Sequence, residues 1–86
     1  MNQEFTLQVG EFRVLQRAFF GRTWAVAYAG MPNDRTWSIA VIWGQNHQSA
    51  AFNLFLPLDQ QAVSFGNGRL VALSISAREI RLRYEA

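Results

Sequence analysis

The feature that most constrains this chain is a β-type hydrophobic pattern with a polar face near both termini and none in the middle. Apolar and polar residues alternate over residues 5–9 and again over 79–84. Between residues 23 and 56 both alternating sets are mostly apolar or alanine, and all three tryptophans lie there. Successive side chains of a strand point to opposite faces, so such strands need cover on both sides. The cover must come from the chain itself, a second copy or another partner.

The composition predicts a single globular domain covering residues 1–86. The chain is 50% hydrophobic and only 16% charged, which supplies a core and argues against disorder. It contains no cysteine, so disulfides and thiolate metal sites do not hold the fold together. The first residues do not read as a signal peptide, and no apolar run is long enough to span a bilayer. We therefore expect a cytoplasmic protein without a membrane partner.

Alternation and turn residues predict an all-β fold of about seven or eight strands. The strands are expected at roughly 3–9, 12–20, 23–29, 36–43, 50–56, 62–65, 69–76 and 79–84. Neighbouring strands usually pair, which favours a mostly up-and-down antiparallel arrangement. A small barrel and a compact sandwich both fit this pattern, and a Greek-key crossing at 57–61 would rearrange the ends. The strongest hairpin signal is the glycine-rich turn at 66–68.

Tight turns would also fix the strand register. The glycines that follow the first two strands predict hairpins with Glu4 opposite Arg17 and with Arg17 opposite Val26. In the C-terminal hairpin the same reasoning sets Leu73 opposite Leu82. Both terminal hairpins then have one apolar face and one face that carries arginine.

The apolar face of the second strand does not continue the apolar face of the strands that follow it. A β-bulge near Arg17-Ala18 would reverse its faces partway along. One interior would then contain Phe12, Val14, Phe19, Trp24 and Val26. Without the bulge, Phe12 and Val14 lie with the alanines on the second face, and that face needs its own cover.

In both cases the second face is an apolar wall of low relief. It is expected to contain Ala25, Ala27, Ala29, Ala40, Ile42 and Phe55. Exposed apolar patches of this kind mark interaction sites. The wall predicts a homo-oligomer, most simply a dimer.

Arginine next to aromatic residues gives the alternative site. All eight basic residues are arginine, and the net charge is +2. Small β-barrels bind single-stranded nucleic acid with aromatic platforms flanked by cations. The candidates for partner or nucleic-acid binding are Arg13, Arg17, Arg22, Phe19, Trp24, Tyr28, Arg81 and Arg83. The competing interpretation places these aromatics in the core and the arginines on a solvated face paired with glutamates.

Other polar residues give weak catalytic signals. His47 is the only histidine and lies in a polar loop, where a solvated role is the simpler interpretation. In a meander, Asp34 and Asp59 would share one end of the sheet and could act as an acid–base pair, although both also suit turns. We expect no catalytic residue, metal or cofactor.

Three functions are therefore compatible with the sequence. The first is a non-enzymatic interaction module that self-associates through the wall and binds a partner protein. The second is a nucleic-acid-binding barrel, and the third is a small enzyme with carboxylates in its loops. The first two differ in whether Trp24 and Tyr28 are exposed beside Arg13 and Arg17.

Overall fold

The predicted eight strands are all present. The computed structural model describes residues 2–17, 23–45, 48–65 and 68–85. The strands are β1 (Asn2–Gln8), β2 (Phe12–Arg17), β3 (Thr23–Asn33), β4 (Thr36–Gln45), β5 (Gln48–Pro57), β6 (Ala62–Phe65), β7 (Gly68–Ile75) and β8 (Glu79–Glu85). All strand pairs are antiparallel, so the predicted all-β fold is confirmed.

The strands form two four-stranded sheets. The first sheet has the order β1-β8-β7-β6, and the second has the order β2-β3-β4-β5. Each strand pairs with its neighbours in sequence, except at β1/β2 and β5/β6, and β8 returns to pair with β1. The fold is therefore an up-and-down meander flattened into a sandwich, with two unpaired seams where the chain passes between the sheets.

The meander gives the molecule two distinct ends. Strands β1, β3, β5 and β7 all lead into connections at the same end, formed by residues 9–11, 34–35, 58–61 and 76–78. We call this the turn end. Residues 66–67 of the predicted glycine-rich turn at 66–68 lie outside the described residues, as do residues 18–22 and 46–47.

The inner faces of both sheets supply one hydrophobic core. Strands β3, β4 and β5 share one inner face, because Val26 pairs with Val41 and Val41 with Phe52 in successive ladders. The buried core consists of Phe5, Leu7, Leu15, Val26, Tyr28, Trp37, Ile39, Val41, Leu56, Leu70, Ala72, Ile80, Leu82 and Tyr84. Both sheets contribute to it, so the core itself holds the two layers together.

Two buried aromatic side chains of the second sheet donate hydrogen bonds to loops at the turn end. The Tyr28 hydroxyl donates to the Ser76 carbonyl oxygen at 2.5 Å, which links β3 to the loop between β7 and β8. The Trp37 indole nitrogen donates to the Gln60 carbonyl oxygen at 3.2 Å, which holds the β5–β6 connection. Both side chains are almost fully buried, so these bonds also satisfy polar atoms that have no access to water.

The predicted hairpin between β1 and β2 is wrong. β1 pairs with β8, and the turn after it carries the chain to the other sheet. In that turn the Glu11 amide donates to the Gln8 carbonyl at 2.9 Å, and the Glu11 carboxylate accepts from the Gln8 amide at 2.7 Å. Glu4 consequently forms its ion pair with Arg81 of β8 at 3.0 Å, and not with Arg17.

The bulge in β2 exists, but it lies earlier than predicted. The register shifts between Val14 and Gln16, and Leu15 is buried in the core. Before the shift, Phe12 pairs with Ala27 and Val14 pairs with Ala25. The expectation that Phe12 and Val14 share the interior is therefore wrong, because both lie on the outer face with the alanines.

Two further registers differ from the prediction. Arg17 pairs with Thr23 instead of Val26. In the C-terminal hairpin a bulge between Ala72 and Ser74 sets Ala72 opposite Leu82. Leu73 is left 39% exposed by this shift.

Candidate interaction surfaces

The outer face of the second sheet carries an uncharged patch that crosses all four strands. One row runs through Val14, Ala25, Ile42 and Ala51, and the next through Phe12, Ala27, Ala40 and Asn53. Phe55, opposite Ser38, extends it toward the turn end. We call these residues, apart from the buried Ser38, the alanine face, in which Ala25 is itself only 5% exposed. None of its side chains is charged.

Relief on the alanine face is low in the centre and high at both edges. Phe12 on edge strand β2 is 65% exposed, and Phe55 on edge strand β5 is 64% exposed. The two central strands present Ala27 and Ala40 side by side. A surface with small central residues and large edge residues allows another sheet to approach closely.

Five of the six predicted wall residues share this face. Ala29 is the exception, because it lies at a register irregularity between Tyr28 and Gly30, where Gly30 has φ of +92°. Ala29 is exposed at the border of the face. Sequence reasoning did not include Ala51 or Asn53, although strict alternation from Phe55 along β5 would have placed them there.

The outer face of the first sheet has the opposite character. Glu85 accepts from Arg69 at 2.6 and 2.9 Å and from Arg83 at 2.7 Å. These two arginines hold the pKa of the Glu85 carboxyl below its usual value. With the Glu4–Arg81 pair, this face is a hydrated surface on which three arginines have carboxylate partners.

The predicted arginine and aromatic site is divided between different surfaces. Arg81 and Arg83 lie on the first sheet, whereas Arg13 and Trp24 belong to the second. The Arg13 guanidinium lies 4.9 Å from the centre of the Phe5 ring, across the β1/β2 seam. Phe19, Arg22 and the side chain of Arg17 lie outside the described residues.

The two described aromatic members of that set, Trp24 and Tyr28, belong to the interior. Tyr28 is 1% exposed, and burial raises the pKa of its hydroxyl. Trp24 is half-buried and packs against the core. Tyr28 therefore presents no ring surface on which a base could stack.

Asp34 and Asp59 do meet at the turn end, as the meander predicts. They line one shallow hollow of about 360 Å³ together with Arg35, Pro57 and Leu58. The Leu58 amide donates to the Arg35 carbonyl at 2.9 Å, which brings the two loops together. Both aspartates are exposed. His47 lies outside the described residues, and in the described chain no group of three or more potential metal ligands occurs.

A larger hollow of about 810 Å³ lies beside the loop between β7 and β8. Gln8, Val9 and residues 76–79 line it. The Ser76 hydroxyl donates to the Glu79 carbonyl at 3.0 Å and accepts from the Glu79 amide at 3.1 Å. These hydrogen bonds stabilise the loop and occupy the Ser76 hydroxyl, so the Ser76 side chain is not directed at a ligand.

Comparisons with known proteins leave the assignment of function to the structure. No family model, curated protein or solved structure matches this chain. In the described part of the chain there is no helix with the length and apolar character needed to cross a membrane.

Proposed function

We propose that this protein is a non-enzymatic interaction module that self-associates through the alanine face and binds a partner protein through its polar loops or a sheet edge. The observation that carries the proposal is the uncharged apolar surface across all four strands of the second sheet. Soluble domains rarely leave such a patch exposed unless it is an interface. A cytoplasmic location accompanies the proposal as an expectation from composition.

The alanine face sets the scale of a contact between two copies. Four strands about 4.8 Å apart, with their side chains, are about 20 Å wide, and the five residues 51–55 extend about 17 Å. Two copies would bury about 700 Å² in this face, which is less than the roughly 1,000 Å² expected of a stable interface. The face alone therefore suits a weak, concentration-dependent dimer.

The chemistry of the face also suits an identical partner. In a two-fold dimer the same patch meets itself, so an uncharged patch leaves no charge without a partner at its centre. The exposed rings of Phe12 and Phe55 supply large apolar side chains at the two edges. Such exposed aromatics are characteristic anchors of interfaces.

The two alternatives have less support. For nucleic acid, a positive patch with exposed rings is needed. Tyr28 is buried instead, and Arg69, Arg81 and Arg83 have carboxylate partners. For catalysis, a candidate acid–base pair normally occupies a cleft that excludes water. Asp34 and Asp59 are exposed in a shallow hollow.

The test is absolute mass by light scattering on a sizing column for the wild type and Ala27→Arg. A charged, bulky side chain in the centre of the face should reduce the mass of the assembly, because burying it without a partner is costly. Gln8→Arg is the matched control, since this exposed residue lies on the first sheet opposite Glu79. Circular dichroism establishes that both variants are folded. A wild type of 9.8 kDa at every concentration would overturn the proposal.

A further inference from the structure

The exposed edges of the two sheets differ in how well they are protected. A sandwich with two seams has four edge strands, β1, β2, β5 and β6. An edge strand offers unpaired amide and carbonyl groups, and proteins block them with charges, bulges, proline or short strands. The edge without these devices is the one available for pairing.

Three of the four edges have such protection. β6 contains only four residues. β2 has six residues, includes Arg13 and Arg17, and is bent by the bulge after Val14. β1 carries Glu4, which is held in an ion pair on the outer face. Each device makes regular pairing with a further strand less favourable.

β5 has no such protection over most of its length. It runs for ten residues from Gln48 to Pro57, contains no charged residue, and reaches its single proline only at the last position. Its ladder to β4 is regular from end to end. In the described chain no other strand pairs with it, and Phe52 is 51% exposed although it lies on the inner face.

We propose that the free edge of β5 pairs antiparallel with β5 of a second copy, about a two-fold axis normal to the second sheet. This contact is separate from the alanine face and joins two four-stranded sheets into one of eight strands. An uncharged edge favours an identical strand, because neither copy brings a charge into the new ladder. Backbone hydrogen bonds supply the contact, as in other cases of strand addition.

The composition of β5 sets the centre of the pairing at Asn53. The apolar segment covers residues 50–56, between the polar pair at 48–49 and Pro57, and Asn53 is its midpoint. With Asn53 on the axis, Ala51 faces the partner's Phe55 on the outer side. Phe52 faces the partner's Leu54 on the inner side. Small residues thus meet large ones outside, while apolar residues meet each other inside.

Disulfide trapping tests this pairing directly because the chain has no cysteine. Paired residues of adjacent strands have Cα atoms about 4.5–5.5 Å apart, within the range of about 4.4–6.8 Å that a disulfide needs. Facing sheets are about 10 Å apart. Under mild oxidation, Asn53→Cys should therefore form a covalent dimer through the edge. Thr6→Cys, exposed on the first sheet, is the control and should remain monomeric on a denaturing gel.

The register has its own test. Ala51→Cys and Phe55→Cys should each give little covalent dimer alone, whereas an equimolar mixture should give a disulfide-linked heterodimer. The pairing would be overturned if neither Asn53→Cys nor the mixture gave a covalent dimer. The same result is expected if β5 receives a peptide from a different protein.

The outcome separates this inference from the proposed function. If the dimeric mass falls with Ala27→Arg and Asn53→Cys forms no disulfide, the alanine face remains the proposed interface. The pairing of β5 edges is then rejected. A disulfide in Asn53→Cys, together with an assembly mass that Ala27→Arg does not change, would retain the edge and remove the face. Phe52→Lys adds a check that needs no covalent bond, since a lysine on the edge should reduce self-association. Val9→Lys is its control, because Val9 is equally exposed and the substitution should leave self-association unchanged.

Discussion

At the scale of single residues, Gly68 is a position where the fold leaves no room for a side chain. Gly68 begins β7, and a methyl group there would overlap the carbonyl oxygen of Glu85 and lie 3.0 Å from the Tyr84 ring. We expect Gly68→Ala to lower the free energy of unfolding by about 2 kcal/mol, because the β7–β8 ladder must shift to make room. Urea denaturation measures this, with Ser64→Ala on exposed β6 as the control. Equal stability of both variants would contradict the prediction.

Arg13 contributes at the same scale through its contact across the β1/β2 seam. No ladder joins these strands, and the guanidinium covers the ring of Phe5, which is 7% exposed. Arg13→Ala should cost about 1 kcal/mol, and Arg13→Lys less, because a lysine retains the charge and part of the apolar stem. Denaturation at one fixed protein concentration is the measurement, since self-association also changes apparent stability. Identical losses for the two substitutions would argue against a cation–π contact.

At the scale of strands, sequence reasoning succeeded where inward and outward residues alternate without a bulge. The inner faces of β3, β4 and β5 follow from alternation alone, because Trp37, Ile39 and Val41 have the same parity along one strand. It failed at β2 and β7, where bulges at Leu15 and Leu73 shift the parity by one residue. It also paired β1 with β2, because a two-residue turn and a corner between sheets share the same glycine signal. Bulges and corners depend on three-dimensional closure, which a local pattern does not encode.

The ion-pair cluster of Arg69, Arg83 and Glu85 on β7 and β8 gives a prediction at the same scale. Arg69 and Arg83 lower the pKa of Glu85, whose ordinary value is 4.5. A lowered pKa in the folded state means that the unfolded state takes up the proton first, so the stabilisation is present above about pH 4.5 and is lost as the pH falls further. Wild type should therefore be more stable than Glu85→Gln at pH 7, and the difference should shrink below pH 4.5. A difference that does not change with pH would contradict the role of the charge.

At the scale of the whole molecule, the two sheets divide the chemistry between them. The first sheet meets water through Glu4, Arg81 and the Glu85 cluster, whereas the second presents alanine and phenylalanine outward. This division explains why the sequence alternates cleanly only near its ends, since β1, β7 and β8 together build most of the hydrated sheet. The apolar middle of the chain forms β3, β4 and β5, which carry both the alanine face and the unprotected edge.

Used together, the two surfaces close into a finite assembly only if their two-fold axes intersect; otherwise they generate an open polymer. The edge axis passes beside Asn53, and a face axis along the row Phe12, Ala27, Ala40 and Asn53 would cross it. Its two central residues are alanines, which lets the sheets approach where the axes meet. The wild type should then be a tetramer of about 39 kDa, four times the 9.8 kDa chain.

The variants distinguish the closed tetramer from an open polymer. Ala27→Arg should leave an edge dimer and Phe52→Lys a face dimer, each about twice 9.8 kDa, and the double variant should be a monomer. Light scattering at several concentrations measures all four proteins under the same conditions. A wild-type mass that increases without limit as the concentration rises would mean that both surfaces are used but their axes do not meet. A single variant that already gives the monomer would mean that only its own surface joins the copies.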